Sequence, residues 1–107
     1  MKNFKTQVGC HKIGVEFHDP DNLNDVLNDE DDQTVMGLYL AEKDRIYISN
    51  DLSPERTISV YLHELGEAVN ETMGDYQISH RDLSCLAEGI CQGILANKQA
   101  FRSLLQR

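Results

Sequence analysis

The pattern of apolar and polar residues predicts strands in the first half of the chain. Apolar and polar residues alternate over residues 12–17, which is typical of a half-buried strand. Two further apolar runs, 35–40 and 45–49, are separated by turn-forming residues and predict a hairpin. Pro, Asp and Asn at 19–22 end the first strand. The acidic segment 23–33 is expected to form at most one helical turn.

The second half of the chain has helical periodicity. Ser, Pro and Glu at 53–55 are typical of a helix start, and apolar residues then recur every three or four positions to about residue 73. A second helix is predicted from His80 to about Ala96, and Asn97 marks a stop or kink before a short tail helix. The predicted inward-facing residues are Ile58, Tyr61, Leu62, Leu65, Val69 and Met73 in the first helix, Leu83, Leu86, Ala87, Ile90 and Ile94 in the second, and Phe101, Leu104 and Leu105 in the tail.

Strands followed by helices predict an α+β fold. We expect a small N-terminal antiparallel or mixed sheet that packs against the helix of residues 54–73 and against a second, C-terminal helix. The 107 residues contain no repeat and no linker, and this length suits one domain with one hydrophobic core. A single domain over residues 1–107 is therefore expected.

Composition indicates a cytoplasmic protein. No segment resembles a signal peptide, and none is long and apolar enough to cross a membrane. Cys10, Cys85 and Cys91 have no metal-binding spacing, and their odd number suits a reducing compartment. We expect Cys85 and Cys91 to be small buried residues, and we leave the oligomeric state open.

The negative charge restricts the kinds of partner that are expected. A net charge of -8 argues against direct nucleic-acid binding, since binding to phosphates requires a basic face. Much of the charge lies in residues 19–32, which predicts a solvated loop. The acidic spacing does not form a calcium loop, because Thr34 occupies the position that requires Gly and no Glu closes the loop. An acidic surface that mimics DNA remains an alternative.

The most distinctive chemistry lies in residues 61–70. On a helix, His63 and Glu67 are four residues apart and can direct a ring nitrogen and a carboxylate toward one point. Zinc accepts both ligand types. Glu64 projects beside that point and could take a proton from a metal-bound water. The arrangement follows the His-Glu-x-x-His helix of metalloproteases, with Glu67 in place of the second His.

A catalytic zinc site needs a third protein ligand and an open position for water. His80 is the favoured third ligand, because a turn after residue 73 would fold the two helices together. Glu88 and Glu71 are alternatives. A helper for a developing oxyanion is also expected, and the candidates are Tyr61, Tyr76, Arg81 and His18.

Together, five segments resemble the small zincin-like proteins of bacteriophages and prophages, which are distant relatives of the ImmA/IrrE-type metallopeptidases. The similarity covers a little over half of the chain, between Gly37 and Asn97. It comprises a Gly-containing strand, a hairpin strand, a Leu-Ser-Pro-Glu helix entry, the site helix and the following helix, at residues 36–39, 45–48, 52–55, 63–70 and 80–97.

The resemblance implies a metal bound by His63, Glu67 and His80, with Glu64 as general base. It departs from the peptidase pattern at Glu67, and at His80, where the enzymes more often use an acidic ligand. Zinc is the expected ion because imidazole and carboxylate suit it, while Mn, Fe or Ni also accept these ligands. The substrate would be a protein or peptide. The alternative is a metal-stabilised interaction module that inhibits a host or defence protein without turnover.

Overall fold

Four strands and four helices form the part of the chain that a computed structural model describes, residues 2–27, 36–72 and 77–106. A single 3-10 turn, Ala41–Lys43, joins the third and fourth strands. The elements are β1 (Phe4–Val8), β2 (His11–His18), α1 (Pro20–Leu27), β3 (Gly37–Leu40), β4 (Arg45–Ser49), α2 (Pro54–Thr72), α3 (His80–Ala96) and α4 (Lys98–Leu105). The order of strands and helices confirms the predicted α+β class.

The strands form one mixed sheet in the order β1-β2-β4-β3. β1 and β2 are an antiparallel hairpin, β2 and β4 run parallel, and β3 pairs antiparallel with β4. The predicted β3–β4 hairpin is therefore confirmed. Its turn places Asp44 in the left-handed region, with a φ of 50°. β1 was missed, and it closes onto β2 through Gly9, whose φ of 58° is easily adopted by a residue without a Cβ.

One face of the sheet packs against α2 and forms the core. Apolar residues of β2 and β4 are fully buried there, and Val60 and Ala68 contribute from the helix. Tyr61, Leu65 and Val69 also pack against this core, which confirms the centre of the predicted apolar stripe. The fully buried strand residues are Ile13, Val15, Ile46 and Ile48.

The acidic segment after β2 was wrongly predicted to form at most one helical turn. α1 has 8 residues, about two turns, and it begins at Pro20. Proline suits the first position of a helix because its fixed φ is already helical and no N–H is needed there. The first turn closes by the Leu23 N–H, which donates to the Asp19 carbonyl at 3.2 Å. Residues 28–35, which carry the rest of the acidic run, lie outside the described residues.

The second helix has the predicted bounds, but the prediction of its buried face was partly wrong. Leu83, Ala87 and Cys91 are buried as predicted, whereas Leu86 and Ile90 are 53% and 50% exposed. These buried residues lie four apart and face α2. Cys85 is exposed, contrary to prediction.

The tail helix α4 shows the same error more strongly. Phe101, Leu104 and Leu105 were predicted to pack inward, but they are 41%, 60% and 85% exposed. Within the described ranges, α4 has no buried residue, since α3 alone does not cover its apolar side. No described helix has the length and apolar character needed to span a membrane.

Candidate metal centre

The motif helix α2 begins where the sequence predicted. The Ser53 hydroxyl accepts a hydrogen bond from the Arg56 N–H at 3.2 Å, and the Ser53 carbonyl accepts one from the Thr57 N–H at 2.8 Å. The first contact satisfies an N–H that has no partner within the helix, and the second is the first backbone bond of the helix. The helix then runs without a break through His63, Glu64 and Glu67.

A buried amide holds α3 against the end of α2. Asn70 is only 4% exposed, and its side chain bonds both backbone groups of Ile78, donating to the carbonyl at 2.7 Å and accepting from the N–H at 3.0 Å. The Ser79 hydroxyl then caps α3 by accepting from the Asp82 N–H at 3.1 Å. Because His80 follows at once, these bonds fix where its side chain enters the space beside α2.

Gly66 permits a close approach of the two helices. A Cβ at this position would lie 2.8 Å from Cδ2 of Leu83, which is buried in α3. Glycine in a helix interior costs about 1 kcal/mol relative to alanine. Here the missing side chain brings α3 close enough for its residues to reach those of α2.

The three predicted ligands converge. Glu67 Oε1 lies 3.7 Å from His63 Nε2 and 3.3 Å from His80 Nδ1. One ligand atom from each side chain lies within 4.8 Å of the others, so the three could hold a metal ion. In tetrahedral zinc, bonds of about 2.0–2.1 Å separate neighbouring ligand atoms by roughly 3.3 Å. The two distances from Glu67 to the histidines are therefore already close to the spacing that a bound zinc ion requires.

The electrostatics of the cluster favour neutral imidazole at His63. Burial lowers the pKa of His63, the nearby His80 lowers it further, and the Glu67 carboxylate partly offsets both. The side chain is 17% exposed. Neutral imidazole is the form that binds metals. Within the described residues, the Glu67 carboxylate has no Lys or Arg partner within 4 Å, and its ion-pair contacts are the two histidines.

Glu64 lies on the side of α2 that faces β3. Burial and the neighbouring Glu67 charge raise its pKa to about 7. A hydrogen bond from the Tyr39 backbone N–H favours the ionised form and partly offsets this rise. A carboxyl group that titrates near neutral pH can both accept and return a proton. Gly37 makes the approach of β3 possible, since a Cβ there would overlap with Cγ1 of Val60 and lie 3.3 Å from Cγ of Glu64.

A cleft of about 260 Å³ opens over this cluster between α2, α3 and β3. β3 is an edge strand of the sheet. The Ser49 N–H donates to the Met36 carbonyl, so residues 36, 38 and 40 pair with β4 while the backbone groups of Gly37 and Tyr39 point away from it. The cleft is lined by Gly37, Leu38, Tyr39, His63, Glu64, Glu67 and His80.

The alternative ligands lie outside the cluster. Glu88 contacts the Ser59 hydroxyl and Arg56, further toward the start of α2. Glu71 lies one turn beyond Glu67, and its Oε2 is buried without a hydrogen-bond partner among the described residues. Neither belongs to a group that could hold an ion in the described part of the chain.

Two of the four oxyanion candidates have other partners. The Tyr61 hydroxyl bonds the Thr6 hydroxyl at 2.9 Å, and His18 pairs with Glu16 at 3.0 Å. Arg81 is exposed, and Tyr76 lies outside the described residues. The structure therefore does not bring Tyr61 or His18 to the cleft.

Ser84 belongs to the cluster and was missed. Its hydroxyl lies 3.3 Å from His63 Nδ1, the ring nitrogen that faces away from Glu67. The only signal in the sequence is its position four residues after His80, which places both side chains on one face of α3.

Comparison with known proteins adds no further constraint. No protein-family model matches the chain, and neither a curated protein nor a solved structure is measurably similar to it. The function must therefore be argued from the cleft and its side chains.

Proposed function

We propose that this chain is a zinc-binding, metallopeptidase-like protein of phage or prophage origin. His63, Glu67 and His80 hold the ion and Glu64 is the general base. The observation that carries the proposal is the convergence of two imidazoles and one carboxylate within 4.8 Å. Two His and one Glu form one of the ligand sets of catalytic zinc, which leaves a fourth position for water.

The residues of the cleft fit hydrolysis. A bound zinc ion would lower the pKa of its water toward neutrality and polarise a carbonyl group. Glu64 stands one residue from His63 and lines the same cleft, where its carboxylate could take a proton from water and give it to a leaving amine. The Tyr39 N–H orients the Glu64 carboxylate. Glu67 has the separate role of a ligand.

The shape of the cleft favours a peptide as substrate. The backbone groups of Gly37 point away from β4 at the edge of the sheet, and edge strands bind extended peptides through main-chain hydrogen bonds. A peptide added at Gly37 would lie beside Glu64, because a Cβ at Gly37 would stand only 3.3 Å from Cγ of Glu64. Specificity for particular side chains would then come from the walls of this small cleft.

Metal analysis and peptide hydrolysis test the proposal together. Wild-type protein should purify with, or take up, one zinc ion per chain, and the H63A/H80A variant should take up none. E64Q should retain the metal and lose hydrolysis of an unstructured protein substrate. Equal and negligible zinc in wild type and H63A/H80A would contradict the metal site, whereas full hydrolysis by E64Q would contradict the role of Glu64.

A non-catalytic interaction module is the second candidate. It is favoured by the large apolar side chains that α3 and α4 leave exposed, since such groups often mark protein-binding surfaces; they are Leu86, Ile90, Phe101, Leu104 and Leu105. E64Q separates the two functions, because it should leave inhibition of a host or defence protein unchanged. The DNA-mimic alternative rests on the acidic run, most of which lies outside the described residues, and it stays a prediction.

A further inference from the structure

The His63 ring has a different partner on each of its two nitrogens. Nε2 faces the Glu67 carboxylate at 3.7 Å, and Nδ1 lies 3.3 Å from the Ser84 hydroxyl. Imidazole can rotate about its bond to Cβ, and rotation by half a turn would exchange these nitrogens for ring carbons. A hydrogen bond at Nδ1 favours the orientation in which Nε2 faces the cleft.

A metal ion on Nε2 would impose one protonation state on the ring. The proton of the neutral imidazole must then reside on Nδ1, where it needs an acceptor. A serine hydroxyl can accept that hydrogen bond, and in the metal-free protein it can instead donate one. Ser84 can therefore bond Nδ1 in either state, and it is half-buried, so water competes for the contact less than at the surface.

The helix that carries Ser84 also carries a ligand. His80 and Ser84 are one turn apart on α3, and α3 is held by Asn70 through Ile78 and by the close contact at Gly66. The contact between Ser84 and His63 is thus tied to the same docking of the two helices that places His80 beside Glu67.

We infer that Ser84 is a positioning residue for the metal site, which orients the His63 ring so that Nε2 faces Glu67 and His80. The inference rests on the proposed metal function. Hydrogen-bond partners of metal-binding histidines contribute about 10- to 100-fold to metal affinity. A neutral hydroxyl should lie at the lower end of that range, so S84A is expected to weaken zinc binding about tenfold.

The test compares S84A with S84T, which keeps the hydroxyl, and with S103A, which removes an exposed hydroxyl from α4. Zinc affinity is measured by competition with a chromophoric chelator. Thermal unfolding of the metal-free variants shows whether each is folded. Nitrogen NMR of the His63 ring in metal-free wild type and S84A reports the hydrogen bond itself. We expect S84A to bind zinc about tenfold more weakly with a changed Nδ1 resonance, and S84T and S103A to resemble wild type.

The two proposals can fail separately. If wild type and S84A bind zinc equally tightly, the positioning role is wrong and the metal site stands. If wild type binds no zinc, the metal function is wrong. The Nδ1 resonance then shows whether the Ser84 hydroxyl bonds the His63 ring. An Nδ1 resonance that is the same in metal-free wild type and S84A would overturn the role assigned to Ser84.

Discussion

Two carboxylates at the interface of α2 and α3 differ in the charged groups that lie near them. Nearer the start of α2, Glu88 contacts the Ser59 hydroxyl and lies 3.7 Å from the guanidinium of Arg56. Nearer its end, Glu67 lies between two imidazoles, and no Lys or Arg pairs with it among the described residues. The Glu88 side chain is 62% exposed and that of Glu67 31%. Glu88 thus has a nearby arginine and is accessible to water, while Glu67 has no arginine or lysine partner among the described residues and is less accessible.

The difference indicates which of the two places is suited to bind a cation. A partly buried carboxylate such as Glu67 needs a compensating charge, whereas Glu88 is mostly exposed and also has Arg56 beside it. Around Glu67 the charge could come from a protonated histidine, but burial and His80 lower the pKa of His63. A metal ion bound there would supply the charge and would use the neutral form of that ring. The cleft beside Glu88 is larger, about 650 Å³, but it is less suited to bind a metal ion than the cleft over His63, Glu67 and His80.

The largest expected effect is on the stabilisation that zinc gives. At a free zinc concentration a thousandfold above the dissociation constant, binding adds about 4 kcal/mol to the free energy of unfolding, which raises the melting temperature by roughly 15 °C in a domain of this size. E67Q should abolish most of this shift, because it removes the charged ligand. E88Q is the matched control and should keep it, since Glu88 lies outside the cluster.

Differential scanning calorimetry with and without zinc measures both variants. Each should first be shown to be folded without metal, where neither substitution should change the melting temperature by more than a few degrees. An equal loss of the zinc shift in E67Q and E88Q would mean that the two carboxylates are not different in kind. The comparison would then fail.

The next effect concerns the metal-free protein and its dependence on pH. Glu64 has a folded-state pKa of about 7, raised from 4.5 mainly by burial. Below pH 4.5 the carboxyl is neutral in both the folded and unfolded states, so burial carries no charge penalty. Between 4.5 and 7 the unfolded state ionises more readily, and stability falls. Above pH 7 the folded state is ionised too, and the full penalty remains.

E64Q is neutral at every pH and can still accept the hydrogen bond from Tyr39. Chemical unfolding in the presence of chelator should therefore find E64Q more stable than wild type by on the order of 2 kcal/mol at pH 8. The difference should become small near pH 4.5. A difference that is constant between these pH values would show that the Glu64 carboxyl is not perturbed by burial.

The predictable parts of the site are those that lie on one helix. His63 and Glu67 are four residues apart, and helical geometry alone makes them neighbours. His80 requires the docking of a second helix, which the turn after residue 73 made plausible. The bond from Ser84 to the His63 ring crosses between helices, and the bond from Tyr39 to Glu64 depends on which β3 backbone groups face the sheet edge. Neither contact has a local pattern in the sequence.

The same distinction explains the predictions about the fold. Periodicity indicated β2, the β3–β4 hairpin, α2 and α3, because each element has its own alternating or helical pattern. It did not indicate β1, whose pairing with β2 depends on the turn at Gly9. It also wrongly predicted that Leu86, Ile90 and the apolar side of α4 would be buried. A pattern shows which face of a helix is apolar, but it does not show whether another element covers that face.

The smallest expected effect is the change in stability when alanine replaces a helical glycine near each carboxylate, Gly89 near Glu88 and Gly66 near Glu67. Alanine is favoured over glycine in a helix by up to about 1 kcal/mol. A Cβ at Gly89 in α3, beside the Glu88 cleft, would meet no atom within 4 Å, so G89A should stabilise the protein by about 0.5–1 kcal/mol and leave zinc binding unchanged. At Gly66 the added Cβ would lie 2.8 Å from Leu83 Cδ2, so repacking of Leu83 should cancel the gain.

G66A should also weaken zinc binding, because any outward shift of α3 moves His80 and Ser84 away from Glu67. Removing the obstacle tests this cause directly. In an L83A background, where Cδ2 is absent, the same G66A substitution should become stabilising by about as much as G89A. Denaturant unfolding of the four variants G66A, G89A, L83A and G66A/L83A measures the coupling. If G66A alone is as stabilising as G89A, the helices do not require the close approach at Gly66, and the closeness of α3 to Glu67 has another origin.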